Sequence, residues 1–357
     1  MSRRRTVIAL VLAAWLVGGL SAAYAYVHAY AVRRGFPALV TPAGVPRGTI
    51  RKVRFYARAI GRENGYLVYL PPGYAREAAA GRRFGVVYLL HGAPGAANAF
   101  TRIDAIEVRM NTLIAEHRIR PMILVMPEGQ QGLFDDDEWA NTAAGRWEDL
   151  VVNVVQNVDK RFATIHDRRH RALAGLSEGA YGALNIGLHH LGLFSVIESW
   201  SGYFVQTPTG PFLDAGAAQL AANSPADYLP ALARRIHRLG LRAWLLQGRT
   251  DWRSPTEIQA FARELHAAGA DVRVGFFPGG HDWGLWRAQT PRMLIAVDRW
   301  FRQRPREHGF GSIGHALTRA QLIAARHRAC LALKPNRRMH VHPACALYRA
   351  EHGLMPY

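Results

Sequence analysis

Residues 172–187 read ALAGLSEGAYGALNIG, and this stretch decides how the rest of the chain is parsed. A small apolar run, RALAG, leads into Gly175-Leu176-Ser177-Glu178-Gly179, and a helix-forming stretch opens at Glu178. A strand that ends in a G-x-S-x-G turn and passes directly into a helix projects its serine at a strained, exposed backbone position. Glycines flank it because side chains there would clash within the turn. A purely structural turn could use the same residues, so the reading depends on whether partners for the serine occur elsewhere in the chain.

A serine hydroxyl is a weak nucleophile at neutral pH and needs a base within hydrogen-bond reach, with a third group to orient that base. Asp251 follows the apolar run LRAWLLQG, and His281 follows DVRVGFFPG. Serine, acid and histidine therefore occur in that order, each just past a predicted strand end. Asp282 is a second candidate for the acid, although adjacent side chains rarely orient one another's imidazole. His189, His190 and His237 fall in helical stretches, and His281 itself could be an ordinary loop histidine. For the oxyanion, the first donor is expected to be the backbone N–H of Glu178. The glycine-rich turn His91-Gly92-Ala93-Pro94-Gly95 offers the second, from Ala93 or Gly92, because Pro94 has no N–H to give.

Around this stretch the chain alternates strand and helix. Strands are predicted at 50–59, 66–70, 85–90, 122–126, 170–174, 195–200, 241–247 and 272–277. Helices are predicted at about 99–117, 146–162, 178–191, 226–238, 255–268 and 283–303. Runs such as VVYLL and MILVM show no polar alternation, which suits strands covered on both faces. In the first strand Val53, Phe55 and Ala57 alternate with Arg54, Tyr56 and Arg58, the pattern of an antiparallel edge pair. The expected fold class is α/β, a mostly parallel central sheet with helices on both faces.

Before this domain, residues 6–32 read TVIALVLAAWLVGGLSAAYAYVHAYAV, uncharged and preceded by Arg3, Arg4 and Arg5. The run is long enough to cross a bilayer, and the arginines would keep its start cytoplasmic. The small-residue stretch Ser21–Ala25 also fits a signal-peptide cleavage site. Either way the remainder is expected outside the cytoplasm. The domains are then 1–35, an anchor or signal; 45–304, the catalytic domain; and 305–357, a basic tail of unknown role. Cys330 and Cys345, the two cysteines of the chain, both lie in that tail, where a bridge and two free thiols are both open.

The formal net charge is +19, but only Lys52, Lys160 and Lys334 are lysine, and the arginines are scattered without aromatic interleaving. That pattern argues against a specific nucleic-acid surface. No His-Glu-x-x-His occurs; His340, His342 and Cys345 form the one suggestive metal cluster, in the tail. Serine chemistry requires no cofactor, and none is expected.

Taken together, VVYLLHGAPG at 86–95, MPEG at 126–129, RWEDLVVNVVQNVDKRF at 146–162, the Ser177 stretch and PGGHDWGLWR at 278–287 resemble the putative esterase family of α/β-hydrolases. That family holds S-formylglutathione hydrolases, feruloyl esterases and the antigen 85 mycolyltransferases. The resemblance, over roughly residues 50–303, implies a serine carboxylic-ester hydrolase acting through an acyl-enzyme on Ser177. Acyl transfer to an alcohol or sugar is the alternative, and a non-catalytic binding protein is a second. It also implies that the segment at Trp147 and Glu148 packs beside the cleft, and that the acidic loop 134–139, with Asp135 and Trp139, either contacts a small-molecule or cell-envelope ester or is simply a solvated loop.

Overall fold

The computed structural model describes residues 3–27, 33–129 and 137–303. An N-terminal helix α1 (Arg3–Tyr26) precedes a domain built on one eight-stranded sheet. In chain order the domain runs β1 (Thr49–Ala57), β2 (Arg62–Leu70), α2 (Tyr74–Ala79), β3 (Val86–Leu90), α3 (Ala99–Arg102), α4 (Ile106–Ala115) and β4 (Ile123–Pro127). A two-residue hairpin follows, β5 (Asn141–Thr142) and β6 (Gly145–Arg146), then α5 (Trp147–Arg161), β7 (Arg171–Leu176), α6 (Glu178–His189) and β8 (Val196–Trp200). The described residues continue with α7 (Ala217–Ala222), α8 (Pro225–Leu239), β9 (Arg242–Gly248), α9 (Pro255–Ala267), β10 (Asp271–Phe277) and α10 (Trp283–Arg302).

The sheet order is β1-β2-β4-β3-β7-β8-β9-β10. β1 and β2 are antiparallel to each other, β2 is antiparallel to β4, and every later pairing is parallel. Alternation of side chains divides the strands between two cores. Val86, Tyr88 and Leu90 of β3 pack with α5, α6, α8 and α9, whereas Val87 and Leu89 pack with α4 and α10. Each central strand is therefore buried on both faces, which is why its sequence shows no polar alternation. α5 carries Glu148 and Asp149 in its first turn and Lys160 and Arg161 in its last, complementing the helix dipole at both ends.

Three features depart from the sequence reading. The helix predicted over 99–117 is two helices, because Ala105 adopts a left-handed φ of 53°. At the break the buried Asp104 carboxylate accepts from Arg109 Nε at 2.9 Å, and burial pushes its pKa up to about 6. β2 begins at Arg62, not Tyr66: the polar residues Arg62, Glu63 and Asn64 pair in register with Ala57, Tyr56 and Phe55. The short elements α2, α7 and the β5–β6 hairpin were not expected. α1 carries an apolar span from Thr6 to Tyr26 with mean hydropathy 2.1, none of it buried against the domain. That length and composition suit a membrane span or a signal sequence.

Candidate active site

Parallel strands deliver their following loops to one edge of the sheet, so segments distant in sequence meet at the carboxyl ends of β3, β7, β8, β9 and β10. Ser177 stands between β7 and α6 with φ 56° and ψ −120°, a conformation costly for a residue with a Cβ. Three backbone hydrogen bonds hold it: its N–H donates to the Trp200 carbonyl at 2.9 Å, and its own carbonyl accepts from Ala180 N–H at 3.0 Å and Tyr181 N–H at 3.2 Å. The glycines on either side are required by close approach. A Cβ on Gly175 would lie 2.1 Å from the Gly179 carbonyl oxygen, and one on Gly179 would lie 2.2 Å from that of Leu90.

Ser177 Oγ lies 2.8 Å from His281 Nε2, and His281 Nδ1 lies 3.0 Å from Asp251 Oδ2. The structure thus joins three residues spread over 104 positions of sequence. Asp251 Oδ1 also accepts from Arg253 N–H at 3.1 Å. Burial would raise the Asp251 pKa, but the hydrogen bonds from His281 and from Arg253 N–H outweigh it and hold the carboxyl below its ordinary range. An ionised carboxylate on Nδ1 fixes the tautomer in which Nε2 is free to accept the serine proton. Asp282 has another job: it caps α10, accepting from Leu285 N–H at 3.1 Å.

Two tryptophans that the sequence reading did not single out flank the imidazole. The Trp286 ring meets His281 edge-on at 5.3 Å, and Trp252, 69% exposed, lies at 5.5 Å. Trp286 Nε1 donates to Ser201 Oγ at 3.3 Å, and Ser201 holds a left-handed φ of 62° just past β8. Trp252 follows Asp251 directly, and Trp286 lies in the PGGHDWGLWR segment. Nothing in the sequence marks Ser201.

On the other side of Ser177, a Cβ on Gly92 would come within 2.9 Å of Ser177 Cβ, so the 91–93 turn sits directly against the serine. Gly92 is buried and Ala93 is exposed. Glu178 occupies the first position of α6, where a backbone N–H has no intrahelical acceptor. Trp139 is buried beneath this turn: its Nε1 donates to the His91 carbonyl at 2.9 Å and its ring meets His91 at 4.9 Å.

Among the described residues, Trp147 and Glu148 make no hydrogen bond or ring contact with Ser177, His281 or Asp251. Trp147 is packed in the core beneath Arg62, whose guanidinium lies 5.7 Å from its ring. Glu148 accepts from His189 Nδ1 at 3.0 Å and from His190 Nε2 at 2.9 Å. Those histidines end α6, about 18 Å along its axis from Ser177 at 1.5 Å per residue. The cause is helix direction: α6 starts at the serine and runs away from it. Asp135, Cys330, Cys345, His340 and His342 lie outside the described residues. Among the described residues no group of histidine, cysteine and carboxylate side chains could hold a metal ion.

Comparison with solved structures finds the same architecture. A ferulic acid esterase superposes with a TM-score of 0.62 at 21% identity, covering 71% of this chain and 99% of that one. An S-formylglutathione hydrolase of Staphylococcus aureus gives a TM-score of 0.56 at 17% identity, covering 70% and 98%. In sequence, an endo-1,4-beta-xylanase/feruloyl esterase of Xylanibacter ruminicola is 31% identical over 137 residues, 38% of this chain and 19% of that protein. An esterase of Mycobacterium tuberculosis is 31% identical over 151 residues, 42% of this chain and 31% of that protein. The chain thus spans less than a third of the length of these curated relatives. The family model described as Putative esterase matches residues 57–297, from the end of β1 to within α10 and across every segment that meets at Ser177. With well over half of its length matched in this way, the chain belongs to the putative esterase family.

Proposed function

We propose that this chain is a serine carboxylic-ester hydrolase. The observation that carries this reading is the continuous hydrogen-bonded line from Ser177 Oγ through His281 to Asp251, mounted on the ends of three parallel strands. Ser177 Oγ attacks the ester carbonyl carbon while its proton passes to His281 Nε2. The oxyanion that forms is held by the backbone N–H of Glu178, with Ala93 or Gly92 as second donor. As the carbonyl–alkoxide bond breaks, Nε2 returns its proton to the leaving alcohol, leaving an acyl-enzyme on Ser177. Water then attacks the acyl carbon, its proton taken by Nε2; the bond to Ser177 Oγ breaks, Nε2 returns the proton to Oγ, and the acid is released. Asp251 stays ionised throughout and steadies the imidazolium. Membership of an esterase family supports the substrate class.

The same reading places the enzyme outside the cytoplasm. α1 has the length and apolarity of a span, and Arg3, Arg4 and Arg5 precede its apolar run.

The test is hydrolysis of p-nitrophenyl esters of graded acyl length by the purified chain and by Ser177→Ala. The wild type is expected to turn over short esters, with the variant slower by at least about 10³-fold. A phosphonate ester should label Ser177 in the wild type alone, as read by peptide mass spectrometry. Equal activity in the two proteins would show that another residue is the nucleophile. Product that appears as a new ester when an alcohol is supplied would move the assignment to acyl transfer.

A further inference from the structure

Arg253 lies two residues past Asp251, and its backbone is fixed on both sides. Its N–H donates to Asp251 Oδ1 at 3.1 Å, and its carbonyl accepts from Gln247 Nε2 at 2.6 Å. The side chain is held by two aromatic rings, the guanidinium carbon lying 4.2 Å from the Tyr203 centroid and 4.1 Å from that of Trp252. Tyr203 is itself immobilised, stacked on Tyr181 at 4.9 Å and donating its hydroxyl to Glu138. Trp252 touches both the guanidinium and His281, so Arg253 is one ring removed from the imidazole.

What the guanidinium lacks is an acceptor. Its Nε is buried with no hydrogen-bond partner, and among the described residues it forms no ion pair. The carboxylates of Glu257, Asp251 and Glu138 act on it only from a distance. Asp251 is engaged with His281, and Glu138 with Tyr203 and Gln206. Burial outweighs these charges and pulls the Arg253 pKa down, as expected for a cation removed from water without a bonded counter-ion. Aromatic faces attract a guanidinium but do not take up its hydrogens. The residue as a whole is half-buried, and Nε is the one guanidinium nitrogen buried without a partner, so the outer nitrogens of the fork keep exposure to solvent. That fork matches a carboxylate or phosphate group in a bidentate manner.

His281 Nε2 must reach the oxygen of the departing alcohol, so the alcohol half of a substrate lies on the side of this imidazole and the rings packed against it. We propose that Arg253 and Trp252 form a subsite for the alcohol half, and that the preferred substrates are esters of alcohols or phenols carrying an anionic group. The proposal rests on the serine-esterase reading. Trp252 supports the body of the alcohol, and the Arg253 fork binds its anion.

The test compares 4-acetoxybenzoate with methyl 4-acetoxybenzoate, which share the acetyl group and differ in leaving-group charge, on wild type, Arg253→Gln and Arg253→Lys. In Arg253→Gln the ratio of kcat/KM for the carboxylate over that for the methyl ester is expected to fall about 10–100-fold, the worth of charge-assisted hydrogen bonds. Arg253→Lys, which keeps the charge and loses the fork, should fall between. An unchanged ratio, whatever the absolute loss, overturns the proposal and leaves Arg253 a packing residue. Calorimetric binding of the same two compounds to Ser177→Ala separates this from failure of the esterase reading, because it needs no turnover. Tighter binding of the carboxylate, lost in Ser177→Ala/Arg253→Gln, supports the subsite even if catalysis were absent. Equal binding of the two compounds sinks it.

Discussion

Glu148 illustrates how a residue that looks functional in sequence takes a structural place. Burial by itself would raise its pKa, but hydrogen bonds and charge from His189 and His190 outweigh that and bring it down to about 2. In the unfolded chain a glutamate titrates near 4.3. A carboxyl whose folded pKa is depressed contributes stability in full above the unfolded value and loses it as pH falls toward the folded one. The contribution is on the order of 2–3 kcal/mol for a shift of this size in a buried group. Thermal unfolding of the wild type should therefore lose stability between about pH 5 and pH 2, and Glu148→Gln should flatten that slope while lowering Tm at pH 7. If the slope is the same in both proteins, the cluster does not hold the end of α6 as described. Hydrolysis by Glu148→Gln at neutral pH should stay close to wild type, since the carboxylate and Ser177 are at opposite ends of that helix.

At the scale of elements, the decisive contact is between the β7–α6 turn and the end of β3. Gly179 packs where a Cβ would meet the carbonyl oxygens of Leu90 and His91 at 2.2 and 2.4 Å. Both neighbours are backbone at a strand end, so neither can swing aside. Gly179→Ala should force α6 away from β3 and displace Ser177 from His281. The expected cost is about 1–3 kcal/mol in stability from overpacking, with a larger loss in kcat/KM than in folding, checked by chemical denaturation alongside the ester assay. Wild-type activity in this variant would show that the turn has slack the contact distances do not suggest. The glycine spacing was legible in sequence because it reports this steric demand. The break of the 99–117 helix was not, because a left-handed Ala105 and a buried Asp104–Arg109 pair answer to the tertiary surroundings, not to local propensity.

For the whole molecule, α1 is the helix whose length and composition suit a membrane span or a signal sequence. None of its apolar span is buried among the described residues, and leaving that surface in water is unfavourable. Expressed from its first codon, the chain should partition with membranes and resist extraction by high salt, yielding to detergent. Recovery as a soluble product shortened near residue 25 would point to a signal peptide. The order of strands and helices was written in the sequence, because burial on both faces leaves a continuous apolar run and an antiparallel edge leaves an alternation. The Ser, Asp, His order at strand ends was readable for the same reason, since parallel strands send every such loop to one edge. The three-dimensional fold alone decided which nearby residues join that edge. Trp147 turns into the core beneath Arg62 and Glu148 pairs with the histidines that end α6, whereas Trp252, Trp286 and Ser201 gather around His281. Sequence patterns record which side of an element meets the core. They do not record which side chains from different elements converge, because that depends on helix direction, strand order and packing summed over the whole domain.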